Sequence, residues 1–341
     1  MTNEDITLSS RKNSQNRMKR IIILSFFVVL STLGHTQNSA TVFSFLKLPH
    51  SAHATALGGE NITTICNDLT LAFHNPALLS NVSDNTLHLG YTSYIEGSKI
   101  ASAAYSRQFG SRSAWAAAVQ FMNYGKITET DINNNELGAF AAKDIAFMGI
   151  YNYLLSERWS GGVTAKLIQG NYAEFTSFAI GIDLGINYFH DDNDFSASLT
   201  LKNLGGQIKT FDNIHEQLPT NLQVGFTKRL AHAPIKISAT LDDLLHWYST
   251  PYNQTDKDDN FGNILITHLI FGVEIAPSDR FYIAAGYNGK RSKELKVNNG
   301  SKWTGATLGA GINLKRIKLG VAYANYHTAA SSLIMNIGIG F

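Results

Sequence analysis

From residue 85 onward the chain repeats one pattern, some ten residues in which apolar positions alternate with small or polar ones, followed by a break. Phe178, Ile180, Ile182, Leu184, Ile186 and Tyr188 fall on one face of such a stretch, and Ser177, Ala179, Gly181, Asp183, Gly185 and Asn187 on the other. Ile145, Phe147, Gly149, Tyr151, Tyr153 and Leu155 repeat the first face, while Phe195, Ala197, Leu199 and Leu201 oppose Ser196, Ser198, Thr200 and Lys202. A period of two predicts strands. In a soluble sandwich the second face would be rich in Lys and Glu turned to water. Here it is mostly Gly, Ser, Ala, Thr and Asn, which suits a crowded or wet barrel interior, and the apolar face suits lipid.

The breaks alternate in length. Short turns are expected at residues 110–112, 156–158, 190–193, 231–233, 277–279 and 315–316. Between them fall longer, more polar connections at 125–142, 205–217, 247–262 and 289–302, with shorter ones at 96–99, 171–176 and 326–330. Short turns on one rim and long loops on the other are the signature of an outer-membrane barrel, so the fold class expected is all-β, a transmembrane antiparallel barrel of about fourteen strands. Trp115, Tyr124, Tyr153, Trp159 and Tyr188 sit near strand ends, where they serve as interfacial girdle or as ordinary packing. The chain ends on a strand whose alternate residues, Leu333, Met335, Ile337, Ile339 and Phe341, are apolar. A last strand closing on an aromatic carboxy-terminal residue resembles the insertion signal of outer-membrane barrels.

The first 36 residues read as a leader. Arg17, Lys19 and Arg20 precede an apolar stretch at 21–33, too short to span a bilayer comfortably, and Gly34 and Thr36 supply small residues before a cleavage expected after Thr36. Met18 is an alternative start. The mature chain is expected to leave the cytoplasm. Charged residues are 16% of the chain, against about 25% in an average soluble protein, and Gly (28), Tyr (14) and Phe (19) take their place. That mixture excludes a disordered chain and a helical bundle, and a mean hydropathy of -0.08 excludes a polytopic helical transporter. The net charge of +2 comes from interspersed residues with no basic stripe, so nucleic acid is not an expected partner.

Residues 37–84 break the strand rhythm before the barrel region at 85–341. They hold two compact motifs, TVFSFLKLPHSAHATALGG beginning at Thr41 and NDLTLAFHNPALL beginning at Asn67. Gly58 and Gly59 permit tight turning, and Pro76 after Asn75 fixes a junction ahead of the first strand. The segment is ordered and apolar enough to pack inside or beneath a barrel mouth.

The ALGG motif (with Leu57, Gly58 and Gly59), an acidic residue and then NPALL (with Asn75 and Pro76) resemble the amino-terminal plug of the FadL-like barrels, the long-chain fatty acid transporter superfamily. Within it the chain is similar to the PorV/PorQ branch, and most closely to its PorQ type, outer-membrane barrels of the type IX secretion system of the Bacteroidota. The likeness extends through NLGGQIKTFDNIHEQLP at 203–219 and KRLAHAPIKIS at 228–238; His53 stands where an Arg is expected. The resemblance implies a membrane-embedded scaffold that holds a PorZ-like surface protein beside PorU and PorV. In that complex, sorting signals are removed from exported cargo and the cargo is joined to lipopolysaccharide, with the chemistry belonging to PorU. The alternative is a FadL-like transporter of hydrophobic small molecules, which needs an apolar pocket near the plug and an exit.

No catalytic, cofactor or metal site is expected. The eleven histidines are scattered, His50 and His53 being the one close pair, and no HExxH, GxSxG, phosphate loop or dinucleotide fingerprint occurs. The clusters Asp191, Asp192, Asp194 and Asp256, Asp258, Asp259 lack the glycine and final carboxylate of a calcium loop. Cys66 is the single cysteine, so no intrachain disulfide forms, and with no cationic residue nearby in sequence it reads as a small plug residue. Trp247, Tyr248 and Tyr252 mark one long loop as a candidate partner surface, with a girdle role as the other reading.

Overall fold

The computed structural model describes residues 41–133, 135–247, 261–278, 280–294, 303–327 and 330–341; the leader region lies outside them. Fourteen antiparallel strands form a closed barrel in which each pairs with its sequence neighbours. They are β1 (Thr86–Ser93), β2 (Lys99–Phe109), β3 (Ser113–Thr130), β4 (Glu136–Leu154), β5 (Trp159–Tyr172), β6 (Phe175–His190) and β7 (Phe195–Lys209). The second half comprises β8 (Asn221–Arg229), β9 (Ile235–Leu241), β10 (Leu269–Ser278), β11 (Phe281–Asn288), β12 (Ala306–Asn313), β13 (Ile317–His327) and β14 (Ala330–Gly340). β14 returns to β1, with Thr86 opposite Gly340 and Ser93 opposite Leu333. No helix among the described residues is long and apolar enough to cross a membrane.

The alternation of faces follows the sequence pattern. Ile180 is 47% exposed and its neighbour Ala179 2%. Trp115, Tyr153 and Trp159 are exposed on the outer wall at the short-turn ends of β3, β4 and β5, and Tyr188 packs against Trp159 with ring centroids 5.0 Å apart. Tyr124 does not join this girdle. It shares the parity of the buried Ala114, Ala116, Ala118 and Met122, turns into the lumen, and its hydroxyl donates to Asp144 Oδ2 at 2.7 Å.

Two of the expected long loops are partly strand. β3 runs to Thr130 and β4 starts at Glu136, so most of 125–142 is an extended hairpin, and β7 continues to Lys209. Two others run into short helices, α2 (Phe261–His268) and α3 (Gly289–Glu294), and their residues 248–260 and 295–302 lie outside the described residues.

Residues 41–83 fold inside the wall. Short 3-10 turns span Ser44–Lys47, Leu69–Phe73 and Pro76–Asn81, and α1 spans Ala52–Ala56. Each of the last three begins on a side chain that accepts an otherwise unpaired backbone N–H: Ser51 Oγ from Ala54 at 3.1 Å, Asp68 Oδ1 from Thr70 at 2.9 Å, Asn75 Oδ1 from Ala77 at 2.9 Å. Phe45, Ile62, Leu71 and Leu79 are fully buried. The wall admits this segment through residues without side chains. A Cβ on Gly162 of β5 would collide with the Pro76 backbone, and one on Gly286 of β11 with the backbone of Leu57 and Gly58.

Gly286→Val should therefore destabilise the folded barrel by about 1–3 kcal/mol through overpacking. The same substitution at Gly149, whose Cβ would meet nothing within 4 Å, should be close to neutral. Thermal loss of the compact, slow-unfolding band on unboiled gels measures both; equal midpoints for the two variants would contradict the packing described.

Candidate functional site

The inner wall and the inner segment meet through polar contacts. On the segment, Gly58 and Gly59 hold φ of 106° and 105°, conformations open to glycine but costly for other residues. This turn lets Gly58 N–H donate to Thr307 Oγ1 at 3.0 Å and Gly58 C=O accept from Asn288 Nδ2 at 3.1 Å, while Leu57 is buried beside Gly272. Asn75 uses both ends of its amide, since Nδ2 donates to Ile62 C=O at 2.8 Å and Oδ1 caps the turn that starts at Pro76. Ser160 Oγ and Asn152 Nδ2 then donate to the Ala77 carbonyl at 2.7 Å and 3.0 Å.

Deeper in the lumen, charge is paired. β7 skips register against β6 between Leu204 and Leu201, and Asn203 takes a left-handed φ of 58°. A bulge of this kind re-aims side chains, and here both Lys202 and Asn203 are buried. Lys166 Nζ lies 2.7 Å from Asp183 Oδ2 and donates to Asn203 Oδ1 at 2.7 Å. Lys202 Nζ lies 3.6 Å from Glu60 Oε1, and the other oxygen of Glu60 is 2.7 Å from His74 Nδ1. Toward the long-loop rim, Phe43, Phe45 and Leu46 fill the lumen in one apolar cluster with Ile100, Met122 and Leu218. At the opposite, short-turn end a cavity of about 540 Å³ remains between the inner segment and the wall, with Ile65, Leu69 and Tyr282 on its apolar side and Lys236, Asp68 and Lys318 on its polar side.

Leu333, Met335 and Ile337 lie exposed on the outer face of β14, with Ile339 half-buried and Phe341 76% exposed after the strand. Trp247 is stacked on His268, ring centroids 4.8 Å apart, so its ring is engaged within the chain; Tyr248 and Tyr252 lie outside the described residues. His50 and His53 part company, His50 packing on Phe73 and His53 on Tyr282. Asp191 and Asp192 sit in a short turn, and Asp194 lies 3.9 Å from Arg229, whereas Asp256, Asp258 and Asp259 lie outside the described residues. Among the described residues no three His, Cys, Asp or Glu side chains converge as a metal set. Asp183 lies on the inward face that the alternation assigns it, whereas the β3–β4 hairpin, the inward Lys166 and the surroundings of Cys66 were not anticipated. Lys202 carried a signal, since it is a charge following Ser196, Ser198 and Thr200 on one strand face.

No family model matches the sequence, and no curated protein matches it. Solved structures share its architecture. The Pseudomonas putida toluene transporter TodX is 13% identical with a TM-score of 0.52, covering 88% of this chain and 98% of its own. A Pseudomonas aeruginosa FadL homologue is 9% identical with a TM-score of 0.51, covering 85% and 97%. The CymD monoaromatic hydrocarbon channel is 10% identical with a TM-score of 0.52, covering 89% and 99%. The chain therefore has the fold of these barrels, and its apolar outer face suits lipid. These neighbours are channels and transporters rather than enzymes.

Glu60 makes the packing of the inner segment depend on pH. Burial disfavours its charge, but the Lys202 ammonium and His74 outweigh burial and hold the carboxyl well below the usual carboxylate range. A depressed folded value means that Glu60 stabilises the fold fully above its ordinary value of 4.5 and progressively less as pH falls below it. Glu60→Gln should thus lower the thermal midpoint at neutral pH, and the gap from the parent should close as pH drops below about 4.5. Parallel midpoint curves for the two proteins would refute this.

Proposed function

We propose that this chain is a closed docking barrel, a scaffold of the PorQ type in the type IX attachment complex, holding a PorZ-like surface protein and working beside PorU and PorV. The observation that carries this reading is the hairpin on the long-loop rim. β2 stops pairing with β3 at Asn123, and β5 stops pairing with β4 at Ala142, yet β3 and β4 continue to pair with each other up to Thr130 and Glu136. Beyond the rim both edges of this two-stranded ribbon are unpaired, and a free edge is a template for another chain's strand. Its tip carries Ile132, fully exposed, and Leu137, 65% exposed. The tied inner segment and the polar lumen agree with a barrel that holds rather than passes. The plug and opening motifs add the family likeness.

The second reading is a FadL-like transporter of hydrophobic small molecules. At the level of fold the comparisons favour it over the scaffold, because the neighbours are hydrocarbon channels, and the 540 Å³ cavity beside the inner segment is of a size for a small ligand.

Replacing residues 125–142 by a tight turn separates the two. A docking barrel should stay in the outer membrane at its normal level while its surface protein appears in the medium. If the surface protein stays in place and uptake of a fatty acid or toluene depends on the barrel, the transporter reading holds instead.

A further inference from the structure

The cavity at the short-turn end contains a group that neither reading uses. Cys66, the only cysteine in the chain, is a free thiol, half-buried in the cavity wall. Its Sγ lies 3.7 Å from His53 Nδ1, and His53 Nε2 lies 2.6 Å from Glu274 Oε2. The carboxylate can only accept, so Nε2 carries a proton and Nδ1 is the nitrogen that faces the thiol. Lys236 Nζ donates to the other oxygen of Glu274 at 3.0 Å. Tyr282 stacks on the imidazole, ring centroids 4.1 Å apart and planes 19° from parallel, which fixes the ring's plane. A nucleophile, a base and a group that orients the base are thus in contact along one line.

The charge of the cavity and its apolar wall bear on a ligand. Lys236, Lys315, Lys318 and Arg229 line the cavity against the carboxylates of Asp68, Asp194 and Glu274, so positive charge is in excess. Ile65, Leu69 and Leu319 supply an apolar wall.

We propose that Cys66 is a nucleophilic thiol with His53 as its base, and that the cavity admits small anionic disulfides for thiol–disulfide exchange. The thiol proton passes to His53 Nδ1, and the Cys66 thiolate attacks one sulfur of the bound disulfide. A new S–S bond forms to Sγ as the old one breaks. The leaving sulfur departs as a thiolate and takes the proton from His53, so one disulfide and one thiol become one mixed disulfide and one thiol. Burial alone would lower the His53 pKa, but Glu274 and the Cys66 sulfur raise it well above its ordinary value, so the imidazole holds a proton readily.

A single cysteine makes the test direct. The full-length barrel, folded in detergent, is mixed at neutral pH with dithiobis-nitrobenzoate, a disulfide bearing two carboxylates, and release of the coloured thiolate is timed. An ordinary thiol is only a few per cent ionised at this pH, so pairing with histidine should make Cys66 react at least ~10-fold faster than the same chain unfolded. His53→Gln and Glu274→Gln should each remove most of that advantage while their unfolded chains react at the parent's rate, and the compact unboiled gel band confirms that the barrels are folded. Neutral dithiodipyridine should show a smaller folded-over-unfolded advantage than the anionic reagent. Folded rates for the parent no higher than unfolded ones, or His53→Gln matching the parent, would overturn the proposal.

Discussion

A strand in the hydrocarbon layer has no water to take its N–H and C=O groups, so every group must find another strand. An open sheet of any width would leave two bare edges there. Pairing of β1 with β14 removes both, and it does so in a register that sets Leu89 opposite Ile337 and Tyr91 opposite Met335. Slipping β14 by one residue along this seam would turn Asn336 to lipid and Ile337 to the lumen. The seam thus decides which side chains the interior has to accommodate.

What closure creates inside is a problem of volume. About eight strands give an interior that wall side chains can fill, and sixteen or more give an aqueous channel. Fourteen strands lie between, and here the chain's own amino-terminal residues occupy the space. Small wall residues let that segment approach closely, which is why Gly162 and Gly286 face backbone rather than side chains. The same close approach strips water from Lys166, Lys202 and Glu60, and removing one partner of such a buried pair costs about 3–5 kcal/mol. Pairing across β5, β6, β7 and the inner segment turns that penalty into a positional constraint.

The strand repeat was legible because lipid and lumen impose opposite demands on successive residues, as at Phe178 through Asn187. Ends of strands were not legible. Residues 126–130 and 136–141 leave the membrane, lose the lipid face, and read as polar loop although they continue the ladder. Of the two roles open to Tyr124, packing and not girdle is the one taken, as its parity with Met122 dictates. The motifs around Gly58 and Pro76 stood out locally, but their partners did not, since Thr307 and Asn288 lie more than two hundred positions away in sequence. Cys66 looked isolated because folding, not spacing, sets His53 of α1 beside it and Glu274 of β10 behind that histidine.

Whether such a barrel passes anything turns on how the inner segment could move. Leaving as a body would break the contacts of Gly58 with Thr307 and Asn288, of Ala77 with Ser160 and Asn152, and of Glu60 with Lys202 together. Each neutral hydrogen bond contributes about 0.5–1.5 kcal/mol and the buried ion pair more, so concerted release is costly. Local rearrangement at the short-turn end is cheaper, because the cavity there already lacks packing on one side. A ligand would accordingly be expected to enter and leave beside His53 and Cys66 while the apolar cluster around Phe43 and Phe45 stays in place. On the far rim the β3–β4 ribbon needs no such rearrangement. Water satisfies its edges, and a strand added there would leave the tied interior undisturbed.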